Sequence, residues 1–554
     1  MPNFDGRCAS NEDAADGRIG EHVINSAYLQ KVSHAARAAA QRKDWASVAA
    51  CSSEILRHDA RSAEGSFLAG LAAKAAGHAA DASIRFARAL ELDAGRYDAA
   101  VELAKLYSAE RRNGDAAQLI RRVEHRMGGS PLYLHMAATV YAEIGLPQRA
   151  YPLFVKADTL QPGTDLVLAN RATCAVFLGK LDEARDIYRR LLSRHPDHQR
   201  YHYQLAKLDR AKDDRHVREM ESVLERTKQP PEQNVFLYYA LGKECEDLER
   251  WDAAFEWFRR AGDAVASVAD YYIERDLALL DSIVDACSAD WLQRSEGQAP
   301  GDVSRATPIF VVGLPRSGTT LIDRILSSHS QVASVGETQF VQMVLRRESG
   351  VVSEEKMTPA MIEAMSERDL ACLRDGYLDA LDYRLGNRPY FVDKLPFNVL
   401  YAGFIAKAFP DARIVLVNRD PMDVCFAMYK QVFTWAYKFS YTLDGLARFY
   451  PAYAALADHW RNVLGDRLVE VSYETLVRAP EETTRALLDA LGLGFEAACL
   501  DAEQNPSATA TASSVQVREK IHDRSVGRWR CYARQLEPLR VALAAAGIDV
   551  GDPP

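Results

Sequence analysis

The sequence predicts two fold classes in series, an all-helical solenoid followed by an α/β domain with a central parallel sheet. Three observations predict this. Alanine recurs at 82, 116, 150 and 184, a constant step of 34 residues. The apolar run PIFVV (308–312) leads through a glycine turn into an amphipathic stretch. A second apolar run, RIVLV (413–417), ends just before Arg419.

The helical half comes first. Four positions after each alanine stand Phe86, Ile120, Phe154 and Tyr188, and three further on Ala89, Val123, Ala157 and Leu191. Pro162 and Pro196 close two units at the same interval. A small residue at a fixed offset lets two antiparallel helices approach, and the large one fills the gap beside it. The unit at 235–262 repeats the pattern with Leu241, Gly242, Ala254, Phe258 and Ala261. Residues 29–62 and 199–234 fit the register poorly but continue the helical pattern, giving six to seven helical pairs between 28 and 293. This stretch resembles the tetratricopeptide repeat family. The resemblance implies a concave surface for a peptide or a partner subunit; a purely packing role is the alternative.

Composition bounds the rest. A net charge of −9 gives no global attraction to nucleic acid or anionic membrane, so any anion site must be a local cluster. The nine cysteines are scattered, odd in number and without a CxxC pair. That pattern predicts reduced thiols in a cytoplasmic protein and neither a disulfide framework nor a zinc site. Residues 1–27 lack the apolar core of a signal peptide and are expected to be poorly ordered. No apolar run reaches the roughly 18 residues of a membrane span. Residues 294–307, rich in polar residues with Gly and Pro, are the expected linker, and 308–545 the α/β domain.

PIFVV reads as a strand buried on both faces. Gly313 follows, then Leu314, Pro315, Arg316, Ser317, Gly318, Thr319 and Thr320, with Leu321, Ile322, Ile325 and Leu326 at helical spacing. Such a strand–loop–helix aims backbone N–H groups and the positive helix end at an anion. The spacing G-x-x-x-x-G is that of a P-loop, yet Thr319 stands where an ATPase carries lysine. The fixed cation is instead Arg316, inside the loop. That suits a ligand with a shorter anionic chain and no metal.

GLPRSGTT resembles the 5′-phosphosulfate loop of sulfotransferases, which use 3′-phosphoadenosine 5′-phosphosulfate (PAPS). PRSGTTL…VGET is most similar to the tyrosylprotein sulfotransferase branch, and the whole arrangement to bacterial tetratricopeptide-repeat sulfotransferases. The resemblance implies that Pro315, Arg316, Ser317, Gly318, Thr319 and Thr320 hold the 5′ side of the nucleotide. ARIVLVNRDPMDVCFAMY (412–429) resembles the 3′-phosphate segment and implies that role for Arg419. Eight residues on, where the family has a serine, stands Ala427, which removes a hydroxyl donor of about 1 kcal/mol. A surface ion pair of Arg419 with Asp420 or Asp423 is the alternative.

Glu337, 21 residues after Arg316, matches the family's catalytic glutamate, which takes the acceptor proton. Its alternative is a capping glutamate. Lys394 in YFVDKLPFN matches the lysine at the leaving phosphate; the alternative is a solvated lysine paired with Asp393. Between 518 and 534, six Lys/Arg face two acids, resembling the family's C-terminal lid. Ser513, with Ser514 adjacent, matches a serine on the leaving phosphate, and Arg528 a basic residue on the 3′-phosphate. Tyr473 either borders the nucleotide or only packs. The aromatics at 433, 435, 437, 439 and 441 alternate as on an extended segment and suggest either core packing or an acceptor channel.

The resemblance implies a PAPS-dependent sulfotransferase that passes a sulfuryl group in line between two oxygens, releasing 3′-phosphoadenosine 5′-phosphate (PAP). The implied acceptor is a tyrosine of a peptide or protein; a saccharide or small phenol remains open. The rivals are a weak or inactive sulfotransferase-fold domain on a repeat scaffold, favoured only by Ala427, and a P-loop NTPase.

Overall fold

The computed structural model describes residues 13–294, 306–434 and 436–551. The chain divides into two compact units, Met1–Pro162 and Gly163–Pro554. The division falls inside the repeat stretch and not at the expected linker, of which 295–305 lie outside the described residues.

The first unit holds four helix pairs: α1 (Asp13–Gln41) and α2 (Trp45–His58), α3 (Ala63–Ala75) and α4 (Ala79–Leu92), α5 (Tyr97–Ala109) and α6 (Asn113–Val123), α7 (Pro131–Glu143) and α8 (Pro147–Leu160). Helix α1 starts within the N-terminal stretch expected to be poorly ordered; residues 1–12 lie outside the described residues. Local chemistry sets the ends. Ser62 accepts the Gly65 amide to cap α3, and Ser130 caps α7 with Pro131 in the first turn. The repeat register holds: Ala82, Phe86 and Ala89 are fully buried, as are Ala116, Ile120, Ala150 and Phe154. At Gly70 a Cβ would lie 2.6 Å from the Phe86 ring, so the small residue is what lets α3 and α4 close.

The second unit continues with α9 (Asp165–Phe177), α10 (Leu181–Arg194), α11 (Gln199–Leu208), α12 (Arg215–Thr227), α13 (Val235–Asp247), α14 (Trp251–Ala266), α15 (Ile273–Ala286) and α16 (Ala289–Gln293). Gly242 meets Phe258 as Gly70 meets Phe86, with a Cβ 2.5 Å from the ring. Five strands follow: β1 (Thr307–Gly313), β2 (Val332–Gly336), β3 (Tyr390–Asp393), β4 (Arg413–Asn418) and β5 (Leu468–Ser472). They form one parallel sheet of order β2-β3-β1-β4-β5. Between and after them run α17 (Thr319–Ser327), α18 (Phe340–Ser349), α19 (Pro359–Ser366), α20 (Ala371–Leu381), α21 (Ala402–Ala408), α22 (Pro421–Tyr429), α23 (Leu443–Leu464), α24 (Tyr473–Arg478), α25 (Pro480–Ala490) and α26 (Ala533–Ala545).

Strand periodicity splits β1 between two cores. Phe310 and Val312 join a core shared with Tyr239, Phe258, Trp291 and Trp460, whereas Ile309 and Val311 pack with Ile322, Leu487 and Leu488. Helices α11 to α16 therefore bury their apolar side in the same core that Phe310 and Val312 of β1 join. Gly262 marks the closeness, since a Cβ there would lie 2.2 Å from the Tyr441 carbonyl oxygen. The C-terminal segment is also tied to the repeats: the Phe177 carbonyl accepts from the Thr509 amide (2.9 Å) and from Arg518 Nη2 (2.8 Å).

Candidate active site

From β1 the chain winds one way, to β2 and β3, and then crosses to β4 and β5 on the other side. The crevice outside the carboxyl ends of β1 and β4 is thus the topological switch point, where open α/β sheets bind ligands. Gly313 and Val417 are register partners there. Gly313 has φ 146°, and a Cβ on it would sit 2.7 Å from the Val417 carbonyl oxygen. Gly318 has φ 107° and lies under the Tyr473 ring, 2.6 Å from where its Cβ would be. Thr319 and Thr320, both buried, open α17, whose first amides have no acceptor within the helix.

Arg316 adopts φ 70°, a left-handed conformation that a non-glycine residue holds only when its surroundings impose it. Its Nη1 donates to Ser513 Oγ, its Nη2 to Gln516 Oε1 (2.6 Å), and its carbonyl accepts Arg419 Nη1 (2.8 Å). Arg419 Nη2 donates to the Ser525 carbonyl (2.7 Å), and the guanidinium lies 4.7 Å over the Tyr473 ring. Every one of these partners is neutral. Burial, and then the Arg419 charge, push the Arg316 guanidinium down to about 10. Ser317 Oγ and Arg419 Nε are buried without a hydrogen-bond partner. Both residues line a cavity of about 240 Å³ closed by Tyr450 and Tyr453.

The surface-pair alternative for Arg419 does not hold. Asp420 accepts the Asp423 amide to cap α22, and Asp423 accepts the Gly527 and Trp529 amides (2.5 and 3.1 Å). Ser513, not Ser514, is the serine that reaches Arg316. The segment around it is fixed from below by Arg324 of α17, which donates to the Ala502 and Asn505 carbonyls and to Thr509 Oγ1 (2.9, 2.6 and 2.9 Å).

Glu337 and Lys394 come together at the ends of β2 and β3. The Lys394 amide donates to the Gly336 carbonyl (3.0 Å), and Lys394 Nζ donates to Glu337 Oε1. Lys394 is fully buried, while the Glu337 side chain is 37% exposed. Glu337 caps nothing: the residue before α18 is Gln339, which makes no side-chain cap. Asp393 is not the partner of Lys394 either. It is buried, accepts from Thr338 Oγ1 (2.6 Å) and Tyr377 Oη (2.8 Å), and is pushed up to about 7 by burial. Asp323 of α17 is buried beside this pair; desolvation raises its carboxyl, opposed by the Lys394 charge.

The aromatic segment is not extended. Thr434 and Tyr437 have φ 59° and 51°, and Lys438–Tyr441 forms a 3-10 turn. Trp435 lies outside the described residues. Phe439 and Tyr441 are buried in the core, as packing predicts. Tyr437 instead lies near Glu337, and burial with the Glu337 charge raises its phenol. Its ring meets Phe397 and Phe433 edge-on, at centroid distances of 4.4 and 4.9 Å.

Arg528 departs from expectation. Its Nε donates to Glu246 of α13 (3.1 Å), and its guanidinium lies 4.5 Å over Trp251 of α14. Glu246 also accepts Lys430 Nζ (2.7 and 2.9 Å). Lys430 stands one helical turn beyond Ala427, and the charges of Arg528 and Arg419 both oppose its protonation. Lys430, Glu246 and Gln516 were not singled out by sequence reasoning. Glu246 had no local signal at all, because it lies in a repeat helix 282 residues before its partner Arg528.

Among the described residues no helix is long and apolar enough to cross a membrane, and the eight cysteines are free thiols. Comparison with known proteins identifies the two parts. Residues 308–497 match a family model described as sulfotransferase family, and residues 143–208 one described as tetratricopeptide repeat. An uncharacterized protein of Aquifex aeolicus (strain VF5) is 28% identical over 76% of this chain and 56% of its own. The protein-tyrosine sulfotransferase of Drosophila melanogaster is 24% identical over 40% of this chain and 46% of its own; protein-tyrosine sulfotransferase 1 of Danio rerio is 28% identical over 35% and 56%. The chain spans about half the length of the curated relatives it matches. The sulfotransferase domain from the Synechococcus PCC 7002 olefin synthase aligns with a TM-score of 0.32 at 20% identity, over 46% of this chain and 100% of that one. The chain is a tetratricopeptide-repeat protein with a sulfotransferase-family domain at 308–497.

Proposed function

We propose that the chain is a PAPS-dependent sulfotransferase whose acceptor is the phenol of a tyrosine in a peptide or protein. The observation that carries this is the pair Arg316 and Arg419, two guanidiniums with only neutral partners, set at a helix N-terminus in the switch-point crevice. Partly buried charges are costly without a counter-ion. The unpaired Ser317 Oγ and Arg419 Nε are further donors awaiting an acceptor. These residues fit a nucleotide with separate anionic groups.

On this reading Pro315 to Thr320 hold the 5′ side, Arg419 the 3′-phosphate, and Tyr473 borders the nucleotide. Arg528 reaches the 3′ side only by exchanging Glu246 for it. PAPS supplies an activated sulfuryl group on a phosphate leaving group. Glu337 takes the acceptor hydroxyl proton; a phenol, with a pKa of about 10, needs such a base at neutral pH. Lys394, Arg316 and Ser513 place positive charge and a hydroxyl where negative charge grows on the leaving side. The Tyr437 ring near Glu337, met by Phe397 and Phe433, favours a planar acceptor over a saccharide, and the relatives named protein-tyrosine sulfotransferases support a tyrosine.

A thermal-shift comparison of PAP, AMP and ATP with magnesium tests the nucleotide, and transfer of labelled sulfate from PAPS to tyrosine peptides and saccharides tests the acceptor. Stabilisation by PAP above the other two, with label on tyrosine, is expected. Stabilisation by ATP–magnesium and none by PAP overturns the reading.

A further inference from the structure

The turns that join the paired repeat helices share one backbone feature. Lys43, Gly77, Arg111, Gly145 and Gly179 follow one another at steps of 34 residues, and each has positive φ (61°, 82°, 63°, 77° and 78°). Lysine and arginine hold the conformation at two of these positions, so φ by itself does not demand glycine at the others. At Gly77 a Cβ would meet open space. At Gly179 a Cβ would lie 2.5 Å from the guanidinium of Arg518, so any side chain there moves that arginine.

Arg518 ends the 3-10 turn Gln516–Arg518 of the C-terminal segment. Its Nη2 donates to the Phe177 carbonyl (2.8 Å), which also accepts the Thr509 amide (2.9 Å). Its Nε is buried without an acceptor, and burial lowers its guanidinium from the ordinary value. One carbonyl offsets only part of the desolvation of such a cation. What the placement fixes is the other side of the same turn. Gln516 Oε1 accepts Arg316 Nη2 (2.6 Å), and Ser513 Oγ accepts Arg316 Nη1. The Val517 amide donates to the Ser513 carbonyl (3.1 Å) and the Arg518 amide to the Val515 carbonyl (3.2 Å), so residues 513–518 form one hydrogen-bonded unit. That unit is pinned to the repeats at Arg518 and to the loop arginine at Ser513 and Gln516. Farther on, the segment has a separate fastening: Asp423 accepts the Gly527 and Trp529 amides, and Arg419 Nη2 donates to the Ser525 carbonyl.

We propose that Arg518 is a positioning residue for the 5′ side of the nucleotide site: moored to the α9–α10 turn of the repeats, it sets Ser513 and Gln516 against Arg316, and residue 179 is glycine to admit it. This rests on the PAPS reading. The repeats then bear on donor binding through the C-terminal segment, and Arg518 acts through Arg316 without being a ligand itself.

The test uses the full chain and calorimetric titration with PAP, AMP and adenosine 3′-monophosphate. Arg518→Met keeps the aliphatic stem and removes the guanidinium; Gly179→Ala keeps the guanidinium and forces it aside. Each is expected to weaken PAP and AMP roughly tenfold, the order of a lost hydrogen bond to a charged group, and to leave adenosine 3′-monophosphate unchanged. Gly77→Ala carries the same positive-φ strain with no neighbour to displace. It is expected to lower the melting temperature and to bind PAP as wild type does. In the double variant, Gly179→Ala with Arg518→Met, the losses in PAP affinity are expected to coincide and not to add, because the alanine then has no guanidinium to displace. Wild-type PAP affinity in either single variant, equal loss for all three ligands, the same loss in Gly77→Ala, or additive losses in the double variant overturns the proposal. Wild type that ignores PAP altogether overturns the PAPS reading as well, and so is told apart from failure of Arg518 alone.

Discussion

The ammonium of Lys394, fully buried, donates to the carboxylate of Glu337, which keeps more than a third of its side chain in solvent. The pair joins the ends of two adjacent strands, so each side chain is positioned by the sheet. Glu337→Gln keeps an acceptor for Lys394 but removes the base. Turnover is expected to fall by roughly 10²–10⁴-fold with PAP affinity within several-fold of wild type. Single-turnover sulfate transfer beside PAP titration checks this; equal loss of both shows that the glutamate only holds the lysine.

Arg419 carries the nucleotide's second phosphate on the proposed reading. Arg419→Ala is expected to weaken PAP by roughly tenfold or more and AMP far less. If both ligands weaken alike, the assignment of the 3′ side fails.

Glu246 holds Lys430 and Arg528 from the repeat side, and its own carboxyl is lowered by those two cations against the raising effect of burial. Glu246→Gln leaves two neighbouring cations without a counter-charge. The melting temperature is expected to fall, PAP binding to tighten several-fold, and AMP binding to stay constant. Weaker PAP binding would show that Glu246 positions the two cations and does not compete with the ligand.

Burial pushes the Asp393 carboxyl of the folded chain up from 3.8 to about 7, against the hydrogen bonds from Thr338 and Tyr377. The folded state therefore binds the proton more tightly than the unfolded state. Its contribution is fully present below pH 3.8 and is lost as pH rises through about 7. Asp393→Asn retains an acceptor for Thr338 and Tyr377 and abolishes the titration. Relative to wild type, its stability is expected to improve between pH 5 and 8 by up to about 4 kcal/mol. Denaturant midpoints across that range measure it, and parallel pH curves would refute it.

Much of this was written in local patterns. The period of 34 placed Ala82, Phe86 and Ala89 in the core because helix pairing demands small and large residues at fixed offsets. The loop at 313–320 was readable because strand, glycine turn and helix are contiguous. Glu337 was found by its spacing to that loop, and Lys394, Arg419 and Ser513 by the resemblance of their segments to the family; the structure brings Glu337 to Lys394, and Ser513 and Arg419 to Arg316. Glu246 and Lys430 were not readable. Their role depends on which helix packs against which strand end, a long-range property that no local periodicity encodes. Arg528 shows the reverse failure: its basic run matched a motif, but the carboxylate that holds it came from a distant repeat.

The carbonyl of Phe177 receives both the Thr509 amide and the Arg518 guanidinium, and Gly179 nearby has room for that arginine only because it lacks a Cβ. A turn between two repeat helices thus anchors the C-terminal segment at Thr509 and Arg518. The catalytic half is consequently no interchangeable cassette. Recombination that joined it to foreign repeats would have to carry α9 through α16 along, and the working boundary for grafting lies near residue 163, well ahead of the linker.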